Sequence, residues 1–366
     1  MLRLAIIRQR YTPYGGAERF VEAALEALLE RGVAISLYTR EWPQTRLQLI
    51  EPVLCDPFHI GRLWRDWSFA RAVCRAVTQK APELVQSHER LLCCDVYRAG
   101  DGVHRRWLAL RRAAASPLER AGMALNPYHH YVCSAEKRMF EHPRLRAVIC
   151  NSKMVREEIQ RDFRVAPEKL HVIYNGVDLD HFHPRERESR RGAARAEIGC
   201  GAGDTVFAFV GSGFSRKGLD AALAAIEQTP HWLVVVGKDK YTGKTPHRVR
   251  FLGGREDVRP YYAAADCFLL PSRYDPFPNT ALEALAMGLP AIVSARCGAA
   301  EVIEPGVNGW VCQPDDVAGI ARLIREADAA LRAGKPLGAA ARATAERFGF
   351  DAMASQLVDL YRKLND

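Results

Sequence analysis

Several features that define special classes of protein are absent from this sequence. No run of about 18 uncharged apolar residues occurs, so no membrane-spanning helix is expected. The longest apolar run of residues 1–10 extends from Leu4 to Ile7 and is followed by Arg8 and Arg10. This run is too short for a signal peptide and predicts a buried first strand. No Cys-x-x-Cys pair and no cysteine–histidine set at zinc spacing is present, so we expect no metal site.

Ten cysteines are nevertheless present, and apart from the neighbours Cys93 and Cys94 they are scattered singly. Several of them, such as Cys150 and Cys267, lie within apolar runs. Cysteine is among the residue types most often found fully buried. We therefore expect reduced thiols packed in the core of a cytoplasmic protein.

The net charge of +9 is distributed unevenly. Residues 1–175 carry 28 Lys and Arg against 19 Asp and Glu, whereas residues 176–366 carry 24 of each sign. Residues 98–146 alone hold 10 basic and 4 acidic side chains. Such a patch attracts phosphate groups, for example on an anionic membrane surface or an acidic glycan, although a solvated face without a partner has the same composition. No nucleic-acid-reading motif accompanies it, so nucleic acid is not an expected partner.

The order of apolar runs predicts two domains of parallel sheet. The chain opens with a strand at 2–7, a turn containing Gly15 and Gly16, an amphipathic helix over 17–31 and a second strand at 33–38. This strand–helix–strand order is the unit of a parallel sheet. The pattern restarts at 206–211 with short apolar runs that do not alternate, as in strands buried on both faces.

We therefore predict an α/β fold with two doubly wound sheets and a crevice between them. The first domain is expected over residues 1–172 and the second over 173–349, with a last helix at about 350–366 that packs back on the first domain. The charge-rich stretch 184–195 is interpreted as the linker.

A second glycine-rich loop, GSGFSRKG at 211–218, lies between a predicted strand and a predicted helix. It differs from the dinucleotide fingerprint GxGxxG by Arg216 at the sixth position, and no acidic residue follows about 20 positions later, which disfavours an NAD-dependent oxidoreductase. Arg216 and Lys217 at a helix N-terminus suit a diphosphate, because the dipole and both charges stabilise a leaving phosphate. The alternative is an exposed cation pair without a ligand.

A pair of acidic residues follows in the segment YDPFPNTALEA, residues 274–284. Asp275 and Glu283 lie eight positions apart across a predicted strand-to-helix junction. Backbone N–H groups of residues 279–281 would open the helix, and a carboxylate at Glu283 could hold the two ribose hydroxyls of a nucleotide. A capping or structural role for the pair is equally compatible with the spacing.

Together these motifs resemble glycosyltransferase family 4, whose retaining members have the GT-B fold of two Rossmann-like domains facing a central cleft. The acid-x7-Glu spacing, the Arg-Lys pair and Gly15-Gly16 carry the resemblance, which covers nearly the whole chain. The segments NGVD at 175–178 and GVNGWV at 306–311 resemble further family segments. The glycine loop and YRAGD at 97–101 are similar to those of lipopolysaccharide core glucosyltransferases.

The resemblance implies a retaining front-face transfer of a hexose, with glucose from UDP-glucose as the first choice, to a lipopolysaccharide core or related glycan. It implies neither a metal nor a cofactor, because the two cations of the loop would neutralise the diphosphate. The catalytic residues would be Arg216, Lys217, Asp101 and Asp275. The donor-binding residues would be Gly15, Gly16, Gly211, Ser212, Arg255, Asn279, Thr280, Ala281 and Glu283. The acceptor residues would be His104, Glu18 and Arg19.

The chain departs from the family pattern at several positions. Asp275 replaces the usual glutamate and is one methylene shorter, Phe20 stands where the core transferases have aspartate, and Ser212 stands where the wider family has arginine. Asp178-x-Asp180 spells the DxD metal motif of other transferases. It lies in the segment that enters the second domain, so we interpret it as structural.

Two other functional classes remain open from the sequence. A non-hydrolysing UDP-sugar epimerase shares the two-sheet architecture, and a non-catalytic nucleotide-sugar-binding protein would retain the donor motifs. The expected partners of a transferase are a nucleotide sugar, a glycolipid or oligosaccharide acceptor and an anionic membrane surface. The expected location is cytoplasmic, at the inner face of the cytoplasmic membrane.

Overall fold

A computed structural model of the chain describes residues 2–9, 25–41 and 50–365. These residues form two compact units. The first contains the described residues up to Tyr174 together with those from Met353 onward, and the second runs from Asn175 to Ala352. Each unit is built on one parallel sheet, so the predicted α/β class with two Rossmann-like sheets is confirmed.

The first unit contains a fully parallel sheet. Its strands are β1 (Arg3–Ile7), β2 (Ala34–Thr39), β3 (Glu51–Leu54), β4 (Leu84–Ser87), β5 (Val96–Arg98), β6 (Ala147–Cys150) and β7 (Leu170–Val172). Within the described residues they lie in the order β3-β2-β1-β4-β5-β6-β7. Strand β1 thus lies in the middle of the sheet, and the direction in which successive strands are added reverses between β1 and β4. Both faces of β4 and β6 are buried, as expected for strands covered by helices on both sides.

The second unit repeats this arrangement. Its strands are β8 (Val206–Val210), β9 (Trp232–Val236), β10 (Val249–Phe251), β11 (Cys267–Leu270), β12 (Ala291–Ser294) and β13 (Gly309–Cys312). They lie in the order β10-β9-β8-β11-β12-β13, all parallel. The direction of winding reverses between β8 and β11, which is where doubly wound sheets bind their ligands.

Helices connect the strands in both units. Those of the first unit are α1 (Gly61–Lys80), α2 (His104–Ala114), α3 (Pro117–Leu125), α4 (Pro127–Phe140) and α5 (Lys153–Asp162). Those of the second unit are α6 (Pro184–Ile198), α7 (Phe214–Lys217), α8 (Leu219–Glu227), α9 (Arg259–Ala264), α10 (Asn279–Ala286), α11 (Val317–Arg332) and α12 (Leu337–Glu346). The last helix is α13 (Phe350–Asn365). Residues 25–30 are helical, and short 3-10 turns occur at Pro167–Lys169 and Gly298–Val302.

Local sequence signals explain where several of these helices begin and end. Ser116 caps α3 by accepting a hydrogen bond from the N–H of Glu119, whose carboxylate accepts in return from the N–H of Ser116, and Pro117 occupies the first helical position. Helix α6 ends at Gly199, which has a φ of 82°. Glycine reaches this left-handed conformation without steric cost.

The assignment of residues 184–195 as a linker is wrong. This stretch forms most of α6, which belongs to the second unit. Arg191 Nη2 donates to Asp266 Oδ1 at 2.5 Å, and Arg195 Nη1 donates to the carbonyl of Ala264 at 2.9 Å. The high arginine content therefore reflects side chains that bind the end of α9 and the start of β11, not a solvated connection.

The expectation that all cysteines are reduced is also wrong for one pair. Cys74 of α1 and Cys93, in the loop before β5, form a disulfide. The free cysteines that are described include buried residues such as Cys150, Cys267 and Cys312, in agreement with the prediction of core thiols. Within the described parts of the chain, no helix is both long and apolar enough to cross a bilayer.

Candidate functional site

The best-defined polar site of the second unit lies where β8 and β11 run side by side. The two strands are parallel neighbours, so their carboxyl ends meet at one edge of the sheet. β8 leads into the glycine loop at 211–218, and β11 leads into the segment that carries Asp275. Both motifs singled out in the sequence are therefore brought together at the winding reversal of this sheet.

The glycine loop is pressed against the end of β11. Gly213 and Gly218 have φ values of 80° and 74°, which favour glycine. A Cβ atom on Gly218 would collide with the carbonyl oxygen of Pro271, so no larger residue fits there. The N–H of Arg273 donates to the carbonyl of Arg216 at 2.9 Å, and this bond fixes α7 relative to the acidic segment.

Lys217 and Asp275 form a buried ion pair at the centre of this site. Lys217 Nζ donates to Asp275 Oδ2, and the two side chains are only 9% and 6% exposed. Arg216 Nη1 lies 3.7 Å from the same carboxylate oxygen and donates to the carbonyl of Tyr274 at 3.2 Å. The Arg216 side chain is 36% exposed. Two cations therefore share one carboxylate, which leaves one positive charge that an anionic ligand could neutralise.

The backbone around Asp275 is held on both sides. Its N–H donates to the carbonyl of Arg296 at 3.1 Å, and its carbonyl accepts from the N–H of Gly298 at 2.9 Å. The lysine stem packs beside Gly211, where an added Cβ would lie 3.4 Å from Lys217 Cε. The ion pair is thus pre-positioned by backbone contacts rather than by mobile side chains.

Helix α10 carries the second acidic residue. Tyr262 of α9 donates its hydroxyl to Glu283 Oε2 at 2.9 Å, and that hydroxyl also lies 3.2 Å from the carbonyl of Thr280. Burial and the neighbouring Glu283 charge raise the pKa of Tyr262 well above its usual value, so the phenol stays a donor. Asn279 Oδ1 accepts from Asn175 Nδ2 at 2.7 Å, which ties the start of α10 to the NGVD segment.

The remaining predicted donor residues have varied positions. Ser212 is exposed and its Oγ accepts from the N–H of Lys238 at 3.1 Å. Ala281 is buried within α10. Arg255 pairs with Glu197 at 3.7 Å and lies over the Tyr261 ring. Neither contact joins Arg255 to Lys217, Asp275 or Glu283. Gly15, Gly16, Glu18 and Arg19 lie outside the described residues.

One neighbouring residue, Asp239, was missed by the sequence analysis. Its Oδ2 accepts hydrogen bonds from the N–H groups of Gly213 and Phe214, at 3.1 Å in the second case. These are the first N–H groups of α7, so Asp239 places an anion at the opening of the glycine loop. No local pattern in the sequence predicts this contact, because 25 residues separate Asp239 from Phe214.

In the first unit, Asp101 and His104 lie after β5. Asp101 is an exposed turn residue, and His104 opens α2. The Nε2 atom of His104 is 3.1 Å from Nδ1 of His129. Burial, followed by the charge of Arg90, lowers the pKa of His104 to about 4, so the imidazole is neutral at neutral pH.

A buried carboxylate beneath this turn, Glu136 of α4, was also missed. It accepts hydrogen bonds from Arg90 Nε at 3.1 Å, from the N–H of His104 at 3.0 Å and from the N–H of Arg105 at 3.3 Å. A carboxylate at a helix N-terminus is stabilised by the helix dipole. Glu136 therefore fixes the position of α2 and of Arg90 together. It belongs to no sequence motif and lies 46 residues from Arg90.

The Asp178-x-Asp180 motif forms a local turn. Asp178 Oδ1 accepts from the N–H groups of Asp180 at 3.1 Å and His181 at 2.8 Å. This is the behaviour of an aspartate that stabilises a turn. In residues 2–9, 25–41 and 50–365, no three His, Cys, Asp or Glu residues are grouped so that they could hold a metal ion.

Both units of the chain match families of glycosyltransferases. Residues 14–181 match the family model described as Glycosyltransferase Family 4, and residues 204–327 match one described as Glycosyl transferases group 1. A probable transglycosylase of Burkholderia thailandensis is 28% identical over 90% of this chain and 88% of its own length. The lipopolysaccharide glucosyltransferase WaaG of Escherichia coli K12 is 25% identical over 84% of each chain.

Solved structures show the same fold. The crystal structure of WaaG, a glycosyltransferase involved in lipopolysaccharide biosynthesis, superposes with a TM-score of 0.81 at 22% identity over 98% of this chain and 99% of that one. The Anabaena protein HepE in complex with UDP-glucose gives 0.73 at 21% identity over 99% and 100%. With these matches along both units, the chain belongs to glycosyltransferase family 4 and is a glycosyltransferase of the GT-B fold.

Proposed function

We propose that this protein transfers a hexose, glucose from UDP-glucose in the first instance, to a lipopolysaccharide core or a related glycolipid acceptor. The observation that carries the proposal is the convergence of Arg216 and Lys217 on Asp275 at the winding reversal of the second sheet. The acceptor class is supported by the similarity to WaaG, and the donor by the similarity to a protein solved with UDP-glucose.

In this proposal the cations of the glycine loop bind the donor diphosphate. Arg216 is partly exposed and can reach a ligand, while the Lys217 ammonium is held in place by Asp275. As the sugar–phosphate bond breaks, negative charge grows on the diphosphate, and pre-positioned cations in a water-poor site stabilise it strongly. Glu283 would bind the ribose hydroxyls, with its carboxylate oriented by Tyr262.

We assign Asp275 to the donor sugar as well as to Lys217. Its Oδ2 faces the two cations, and its Oδ1 would accept a hydrogen bond from a sugar hydroxyl. Backbone groups of Asn279, Thr280 and Ala281 at the start of α10 would complete the donor site.

The proposed reaction retains the anomeric configuration and uses a front-face path. The oxygen of the leaving diphosphate accepts the proton of the acceptor hydroxyl while that hydroxyl oxygen bonds to the anomeric carbon. The protein contributes positioning and charge stabilisation rather than a covalent nucleophile. No metal and no cofactor take part in this scheme, because Arg216 and Lys217 provide the positive charge.

The first unit is proposed to bind the acceptor. Asp101 is assigned to the transferred sugar and His104 to the acceptor, since Asp101 lies in the turn after β5 and His104 opens α2, whose start is bound by Glu136. The excess of basic residues over 98–146 suits a phosphorylated lipid-linked acceptor and an anionic membrane surface. We propose that the protein works at the inner face of the cytoplasmic membrane.

The direct test is to incubate the purified protein with UDP-glucose and heptose-terminated inner-core lipopolysaccharide. UDP release and the mass of the acceptor are measured, with Lys217→Ala as the control. The expected result is an acceptor heavier by one hexose, with the gain lost in the variant. Conversion of UDP-glucose to an epimer without any acceptor product would refute the transferase assignment. Transfer from another nucleotide sugar alone would replace the proposed donor.

A further inference from the structure

The start of α1 exposes several large apolar side chains. Phe58 is 73% exposed and Ile60 is 69% exposed, just before the helix begins, and Trp64 and Trp67 in its first turns are exposed by nearly half. We call the three aromatic residues Phe58, Trp64 and Trp67, together with the adjacent Ile60, the aromatic patch. Tryptophan and phenylalanine bury more apolar area than most side chains, so their clustering on a surface marks an interaction site.

Trp64 and Trp67 are not part of the core of the first unit. Helix α1 packs on the sheet through Phe69, Val73 and Val77, which recur every four residues. Trp64 precedes Val73 by nine positions, about two and a half helical turns, so it lies on the opposite face. Helix α1 therefore has one apolar face that supports the fold and a second apolar group that faces outward.

The aromatic patch is accompanied by arginines on the same face. The Arg71 guanidinium lies 5.0 Å from the centre of the Trp67 ring, and the Phe58 and Trp64 rings meet edge to face at 5.6 Å. Arg75, one further turn along the helix, is also exposed. Long arginine side chains cover apolar surface with their stems while the guanidinium reaches a polar layer.

The charge of this region favours an anionic partner over a second copy of the chain. Residues 57–80 contain five basic side chains and one acidic side chain, Asp66, which is bonded to Arg65 at 2.8 Å. A two-fold contact between two copies would bring the same basic patch of each copy together and so accumulate like charges. A bilayer of anionic lipids offers phosphates to the arginines and an interfacial layer in which tryptophan is the preferred residue.

We propose that the aromatic patch inserts into the headgroup layer of an anionic membrane, with Arg71 and Arg75 on the lipid phosphates. Helix α1 then lies in the plane of the membrane surface, as amphipathic interfacial helices do. This inference rests on the proposed function, because it identifies the contact through which the enzyme reaches a lipid-linked acceptor. It adds an insertion site on α1 to the electrostatic attraction proposed for the basic segment 98–146.

The test is co-sedimentation of the full chain with vesicles of phosphatidylcholine alone and of phosphatidylcholine mixed with phosphatidylglycerol. The wild type is expected to bind only the anionic vesicles. The double variant Trp64→Ala/Trp67→Ala is expected to bind about tenfold more weakly, and Trp64→Phe/Trp67→Phe to keep most of the affinity. Tyr241→Ala, which removes an exposed aromatic ring from the second unit, is the matched control and should bind like the wild type.

Three outcomes would overturn the proposal. They are unchanged binding of the Trp→Ala double variant, equal binding of the wild type to both kinds of vesicle, and a wild-type dimer that the double variant abolishes. Loss of binding in Arg111→Ala/Arg112→Ala with none in the tryptophan variant would move the contact to the basic segment. Vesicle binding is measured without donor or acceptor, so its result does not depend on whether the protein has the proposed transfer activity. Transfer to a delipidated core oligosaccharide should be unchanged in the tryptophan variant.

Discussion

Each unit of the molecule contains a buried carboxylate bound to a cation, and the two are held differently. Glu136 in the first unit accepts two of its hydrogen bonds from backbone N–H groups and one from Arg90. The carboxylate of Asp275 in the second unit is instead held by the side-chain cations Arg216 and Lys217. Backbone donors cannot leave a carboxylate without unwinding a helix, whereas side-chain cations can exchange one anion for another. Glu136 therefore stabilises the fold, whereas Asp275 holds the two cations in a position where an anionic ligand can bind them.

The largest expected effect is on turnover when one of these cations is removed. Lys217→Ala should lower kcat by roughly two to three powers of ten, by analogy with the loss of one donor that stabilises a developing charge. The measurement is UDP release at saturating donor and acceptor, and Lys238→Ala, which removes an exposed lysine nearby, is the control. A rate within a few-fold of the wild type would remove Lys217 from the reaction.

The next effect concerns the anion that the cations hold. Asp275→Asn leaves the buried Lys217 ammonium without its charge partner and should lower the free energy of unfolding by about 3 kcal/mol. UDP should then raise the melting temperature of this variant more than that of the wild type, because its diphosphate supplies the missing charge. Asp220→Asn, at an exposed ion pair with Arg273, should change stability by less than about 1 kcal/mol. Equal UDP shifts in variant and wild type would contradict the exchange of anions.

The corresponding change in the first unit should behave differently. Glu136→Gln weakens the bonds to Arg90 and to the start of α2 and should lower the free energy of unfolding by about 2 kcal/mol. UDP should not restore this loss, since no ligand charge replaces the carboxylate. Denaturant unfolding measures it, with Glu141→Gln, an exposed residue at the end of the same helix, as the control. A UDP-dependent recovery would place Glu136 in the donor site.

A smaller effect concerns the pH dependence of stability. The folded-state pKa of His104, about 4, lies below the ordinary value, so the unfolded chain binds this proton first. The contribution of neutral His104 is complete above about pH 6.5 and is lost as the pH falls toward 4. Between about pH 7.5 and pH 5, the melting temperature of His104→Gln should fall by about 3 °C less than that of the wild type. His247→Gln, at an exposed histidine of the second unit, should keep the wild-type slope, and an unchanged slope in His104→Gln would disprove the assignment.

Removal of divalent metal ions is expected to have no effect on the rate. If arginine and lysine supply the positive charge that a metal supplies in other transferases, the initial rate should be the same in excess EDTA as in its absence. The measurement compares initial rates of UDP release with and without the chelator. Loss of activity that magnesium or manganese restores would show that Arg216 and Lys217 do not suffice.

The sequence predicted the elements of the fold and the motifs, but not the pairs of residues that meet. Arg216, Lys217 and Asp275 were each identified, yet their ion pairs depend on β8 and β11 being neighbours. Periodicity predicts that strands are buried and does not give their order in a sheet. The GT-B arrangement of the strands was predicted only from the family resemblance, which rests on the motifs and their spacing.

Contacts that involve no motif could not be predicted at all. Glu136 reaches Arg90 across 46 residues, and Cys74 pairs with Cys93 across 19. Nothing in the local sequence of these residues distinguishes them from other buried or half-buried side chains. The arginines of 184–195 were misassigned for a related reason, since composition alone does not separate a solvated charge from one that binds carbonyl groups of a neighbouring helix.

The position of α13 has a consequence for the synthesis of the protein. This helix follows the whole of the second unit in the sequence, yet from Met353 onward it belongs to the first unit. Its Tyr361 hydroxyl donates to Gln86 on β4, in the middle of the first sheet. On the ribosome, the second unit therefore has all of its described residues before the first unit does, although domains usually fold in the order of synthesis. A stop codon introduced just before α13 would consequently remove part of the first unit, although most of that unit is translated before the second.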